Sequence, residues 1–74
     1  MTLCWYISHP YTGDEEKNRE EAAAIQRELQ ERHETALFVN PLAVFQALEG
    51  FDYERVMACC LRLLSKCDRL IVTG

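Results

Sequence analysis

The sequence predicts an α/β fold: a three-layer sandwich with a short parallel sheet in strand order 2-1-3 and helices on both faces. Three observations predict it. Three short runs, Leu3 to Ile7, Thr35 to Asn40 and Leu70 to Thr73, read as strands, and the first lacks the apolar–polar alternation of a half-solvated strand. Helical patterns separate them, and helical crossovers between apolar strands imply parallel pairing. Right-handed crossovers then put the first strand in the middle, with the first helix on one face and the last helix on the other.

The first strand, Leu3 to Ile7, ends at Ser8, and His9-Pro10-Tyr11-Thr12-Gly13 reads as a tight loop. Asp14 is placed to cap the next helix, and Glu15 and Glu16 suit its positive end. That helix is expected from about Glu15 to about His33. Asn18, Ala22, Ile25 and Leu29 form its inward stripe, which is thin enough to sit close to a sheet. Glu20, Glu21, Arg27, Glu28 and Glu31 read as a solvated face.

The second strand, Thr35 to Asn40, stops at Pro41. Leu42 to Leu48 is a short apolar helical segment, and Glu49-Gly50-Phe51-Asp52 is a break. The clearest element runs from Tyr53 to Cys67. Tyr53, Val56, Met57, Cys60, Leu63, Leu64 and Cys67 recur at three- and four-residue spacing and read as core, with Arg55, Arg62 and Lys66 off the stripe. Asp68-Arg69 ends this helix and the third strand follows.

A chain of 74 residues allows one domain, and one this short buries only roughly 60% of its unfolded surface. Eight Lys and Arg against twelve Asp and Glu give a net charge of −4. That opposes non-specific binding to nucleic acid polymers or to anionic membranes, which needs a basic face. No apolar run approaches the ~20 residues of a membrane span. The N-terminal stretch lacks a basic region and a signal-peptide core, so a cytoplasmic location is expected. Cys4, Cys59, Cys60 and Cys67 read as reduced, buried thiols. Cys60 and Cys67 share a helix face two turns apart, but neither a CxxC pair nor a His pair completes a zinc tetrahedron. No metal or cofactor is expected.

In open parallel sheets ligands bind beyond the carboxyl ends of the strands, near the switch in strand order. Here that region comprises Ser8 to Gly13, Asn40-Pro41 and Thr73-Gly74. Asn18, on the inward stripe in the first helical turn, aims under the first loop. It reads as a structural pin on that loop's backbone, a ligand contact, or both. His9 is a candidate acid, base or stacking group, with a polar surface residue as the plainer alternative. Tyr11 is placed to stack on a ligand ring, and Gly13 supplies backbone freedom. Ser8 has no His/Asp relay in view. Neither a phosphate-binding glycine loop nor an HExxH motif occurs.

Taken together, Tyr6-Ile7-Ser8-His9-Pro10-Tyr11-Thr12-Gly13, Asn18, Asn40-Pro41 and Lys66-Cys67-Asp68 resemble the nucleoside 2-deoxyribosyltransferase-like superfamily. The resemblance is nearest to an uncharacterised branch, a domain of unknown function found in phages and bacteria. It covers nearly the whole chain; each motif is weak alone, and their order and spacing are moderately specific. It implies a Rossmann-like or flavodoxin-like fold with a crevice for a nucleoside or nucleotide. The candidate ligand set is Ser8, His9, Pro10, Tyr11, Gly13, Asn18, Asn40 and Asp68, although Asp68, at a helix–strand junction, reads more plainly as a C-terminal turn residue than as a catalyst. In the characterised enzymes a glutamate attacks the anomeric carbon and a second base or water takes the sugar, the logic of a retaining carboxylate nucleophile.

The sequence departs from that pattern twice. The family continues past the third strand with a Gly-x-Trp-x-x-Ser-x-Gly segment and a helix carrying the glutamate, whereas this sequence ends at Gly74. Cys60 stands where the enzymes carry an Asp before the Cys-Asp pair. The expectation is therefore a binding domain without catalysis of its own, lacking the later strands. One alternative is the front part of an N-glycosidic bond transferase or hydrolase whose Glu lies downstream or on a partner. Another is an interaction domain that uses an open third-strand edge, which a second copy of the chain would cover.

Overall fold

A computed structural model describes residues 2–74. The elements are β1 (Cys4–Ser8), α1 (Glu15–Arg32), β2 (Leu37–Val39), α2 (Pro41–Val44), a 3-10 turn (Gln46–Leu48), α3 (Tyr53–Lys66) and β3 (Arg69–Val72). The sheet has the order β2-β1-β3 and both pairings are parallel. Tyr6 aligns with Val39 on one side and with Leu70 on the other. The fold is thus the α/β arrangement expected, with narrower bounds. Strand β2 begins at Leu37 rather than Thr35, and the apolar segment after Pro41 divides into a single helical turn and a 3-10 turn.

Local chemistry accounts for the boundaries. Asp14 caps α1 by accepting from the Lys17 amide at 3.2 Å, and Asp52 caps α3 by accepting from the Arg55 amide at 3.0 Å. Asn40 caps α2 through its side chain, with Pro41 in the first turn, where its missing N–H removes nothing.

Alternation along β1 sorts its side chains between the two layers. Trp5 stacks on Phe38 with ring centres 6.4 Å apart, and both share a hollow with Leu29 and His33 next to α1. Cys4 meets Cys67 at the end of α3, with the two sulfurs 3.6 Å apart. Ile7 and Ala22 are fully buried, and Tyr6 and Phe38 nearly so. Strand β2 is an edge, and two glutamines of α1 cover it. Gln26 donates to the Phe38 carbonyl at 3.0 Å and Gln30 to the Ala36 carbonyl at 2.7 Å. These bonds satisfy acceptors that an edge strand would otherwise offer to another chain.

Helix α3 departs from expectation. None of its residues is fully buried, and Tyr53 and Met57 are exposed. The stripe is apolar because its first half walls a crevice rather than a closed core: Tyr53, Val56, Met57 and Cys60 all face that space.

Candidate functional site

The crevice has a volume of 540 Å³ and opens at the carboxyl end of β1. Tyr6 and Ser8 bring the strand to it. Tyr11 and Thr12 come from the following loop, and Arg19 from the first turns of α1. Phe45, Leu48 and Phe51 form the opposite wall with the α3 residues. Such a space is within the range of small-molecule sites, which are mostly apolar with a few polar groups. Glu49 is the one carboxylate on its lining among the described residues.

The loop that shapes the crevice is built from within the chain. Gly13 has φ +108°, a left-handed conformation that turns the loop into α1. Asn18 reaches back from α1 and donates to the Tyr11 carbonyl at 3.0 Å and to the Thr12 carbonyl at 3.4 Å. Arg19 donates from Nη2 to the Tyr11 hydroxyl at 2.9 Å, so consecutive α1 residues hold both the backbone and the ring of Tyr11.

His9 is no surface residue: its side chain is 2% exposed. Nδ1 lies 2.8 Å from the Thr73 hydroxyl, and Nε2 faces a Glu21 carboxylate oxygen at 3.3 Å, off the direction of a hydrogen bond. The imidazole braces the end of β1 against β3 on one side and α1 on the other. Glu21, expected on the solvated face, is exposed and supplies this carboxylate from the helix surface. Pro10 packs on the backbone of Gly74. A Cβ at Gly74 would lie 2.6 Å from Pro10 Cδ, and Gly74 also has φ +94°, so both space and conformation require glycine there.

Of the residues expected to bind a ligand, Ser8, His9 and Tyr11 therefore line the crevice. Pro10, Gly13 and Asn18 shape its rim from behind. Asn40 is buried at 2% exposure; its Oδ1 accepts from the Leu42 amide at 3.1 Å, and it supports Pro41, which does reach the lining. Asp68 lies elsewhere. Its Oδ2 accepts from the Cys4 amide at 2.8 Å, at the amino end of β1. Four strand steps, about 13 Å, separate Cys4 from Ser8, so Asp68 is a fastening at the far end of the sheet and not part of the crevice.

Sequence reasoning missed Tyr6, Arg19 and the wall from Phe45 to Phe51. For Arg19 a signal existed: it sits one position from the inward Asn18 in the same helical turn. Burial, and then the nearby Cys60 and Cys67 thiols, push the Tyr6 phenol up to about 12. Tyr6 is thus a neutral hydroxyl at the crevice floor near pH 7. Among the described residues no cluster of three or more His, Cys, Asp or Glu is arranged to hold a metal ion, and no helix is long and apolar enough to cross a membrane. All four cysteines are free, half-buried thiols.

No family model matches this sequence, and neither a curated protein nor a solved structure shows significant similarity to it.

Proposed function

We propose that this domain binds a nucleoside or nucleotide in the crevice at the carboxyl end of β1 and does not itself catalyse a reaction there. The observation that carries the reading is the position and chemistry of that space. It lies where a parallel sheet with a switch in strand order accepts ligands. Aromatic and aliphatic side chains form its walls, suited to a planar base, and Ser8, Tyr6 and Tyr11 offer hydroxyls to hold a sugar or a ring edge. The resemblance of the Ser8 to Gly13 loop to deoxyribosyltransferase-like domains supports the same ligand class.

The absence of catalysis is inferred from the lining. A retaining transfer at a sugar carbon needs a carboxylate nucleophile beside a second acid. Glu49, an exposed residue of the lining, is its one carboxylate among the described residues, and Cys60 on the wall is the position where the resemblance would put the enzymes' Asp. Four free thiols suit a reducing compartment, and the cytoplasm is the proposed location.

A thermal-shift series with deoxynucleosides and their monophosphates tests the reading. Stabilisation that rises with ligand concentration supports it. No shift with any of them at millimolar concentration removes it.

A second reading has its own observation: Leu70 and Val72 on strand β3 are 48% and 74% exposed. An apolar edge of this kind suits pairing with a second copy of the chain. Sedimentation at rising concentration separates the two. A monomer that stays monomeric at high concentration eliminates self-pairing and leaves the crevice reading intact.

A further inference from the structure

We propose that Arg19 is an oxyanion anchor, so that the crevice selects a planar ligand carrying a phosphate or carboxylate over its neutral counterpart. This rests on the crevice being a ligand site and specifies which chemical class it takes.

Arg19 differs from every other cation of the chain. Of the eight Lys and Arg, seven are exposed, and Arg19 alone is drawn into the structure. Three of the others, Lys17, Arg27 and Arg32, pair with a Glu of their own helix. Among the described residues no carboxylate oxygen lies within ion-pairing distance of Arg19, although α1 carries acids on both sides of it. Its Nε is shut off from water and has no hydrogen-bond partner, and its Nη2 is spent on the neutral Tyr11 hydroxyl.

Arg19 is part-exposed, but shutting even one face of a guanidinium off from water without an anion is unfavourable, because burial penalises a charge that nothing neutralises. Arg19 sits on the lining of the 540 Å³ crevice, beside the Tyr11 ring. Its charge thus faces a space where a bound anion could meet it. Weak solvation there strengthens a charge-assisted bond, and the guanidinium fork matches the oxygens of phosphate and carboxylate. Tyr11 sits with its ring centre 5.7 Å from the guanidinium carbon. One ligand can therefore lay a ring along the aromatic wall and place its oxyanion on Arg19. Within the proposed ligand class this favours a nucleoside monophosphate over the nucleoside.

The test is binding of four probes to the wild-type chain, R19Q and R19K, followed by calorimetry and by the Arg19 Nε–Hε resonance. The probes are a deoxynucleoside, its 5′-monophosphate, benzoate and inorganic phosphate. The expected result is that the monophosphate binds about tenfold or more tightly than the nucleoside, as a charge-assisted bond implies. That preference should disappear in R19Q and persist in part in R19K, which keeps the charge and confirms that the site still folds. Benzoate separates a carboxylate source from a phosphate source by which of the two moves the Arg19 resonance further. Equal binding of nucleoside and monophosphate overturns the anchor and leaves nucleoside binding standing. Phosphate or benzoate moving the Arg19 resonance, with no nucleoside or nucleotide binding, keeps the anchor and overturns the nucleoside reading. No response to any probe overturns both.

Discussion

Asn18 holds the loop before it by donating to the main-chain carbonyl of Tyr11, seven residues back, at 3.0 Å. That bond fixes the height of the Tyr11 ring over the crevice, because the neighbouring Arg19 then takes the same residue's hydroxyl. Replacing Asn18 with Ala should lower stability by about 1 kcal/mol, the usual net worth of one such bond, and weaken ligand binding through a mobile Tyr11. N18D should do more harm at neutral pH, since a carboxylate cannot donate and would face two carbonyl oxygens. Urea denaturation of the three proteins at pH 7 and pH 4 checks this. The Asp variant should recover toward the Ala variant at the lower pH.

Asn40 poses a different question, because its two side-chain atoms have unequal fortunes. Oδ1 caps α2 by accepting from Leu42, whereas Nδ2 is buried with no partner. N40S keeps a capping oxygen and should stay within about 1 kcal/mol of wild type. N40D also keeps the cap but buries a charge. Burial raises its folded carboxyl pKa above the ordinary ~4. The folded state then holds the proton more tightly than the unfolded state, so stability should fall as pH rises above about 4. Thermal melts of N40S and N40D between pH 4 and pH 8 decide it; a flat N40D profile would show that the site is wetter than its 2% exposure implies.

How much of this was legible before the structure differs between fold and site. Strand order followed from three apolar runs separated by helices and from the handedness of crossovers, which depends on the backbone alone. The Ser8 to Gly13 loop followed because a proline, a glycine and an inward amide at the right spacing specify a turn locally. Arg19 was legible only as a neighbour of the inward Asn18; a charge pattern along α1 cannot tell which side chain folds against the Tyr11 ring eight residues earlier. The far wall was missed for a related reason. An apolar stripe on α3 predicts that water is avoided, but a closed core and a crevice both satisfy it. Asp68 was legible in its plainer role: a residue just before a parallel strand stands at its amino end, opposite the ligand side, where a structural turn contact is expected.

Asp68 should accordingly separate stability from binding. Its carboxylate accepts from the Cys4 amide at 2.8 Å, while its own amide donates to the Cys4 carbonyl, also at 2.8 Å. D68A removes the first bond and keeps the second. The expected loss is about 1 kcal/mol for a partly exposed bond to a charged acceptor, with no change in the dissociation constant of any crevice ligand. Chemical denaturation beside calorimetry measures both. A fall in affinity without a fall in stability would return Asp68 to the site.

Alkaline pH should unfasten the layer between β1 and α3 in a defined order. Burial first, then the Cys4 thiol and the charge of Asp68, push the Cys67 thiol up from 9.0 to about 11. Tyr6, on the same face of β1, is pushed from 10.0 to about 12. In both cases the folded state keeps a proton that the unfolded state releases at lower pH. The stabilisation is therefore complete below pH 9 and is lost as pH rises toward 11 and then 12. Unfolding midpoints should stay level from pH 7 to about 9 and then decline. C67A should delay the onset of the decline, whereas Y6F should flatten its upper part and leave the onset in place. A decline that begins at the same pH in C67A as in wild type would place the alkaline weakness outside the contact between Cys4 and Cys67.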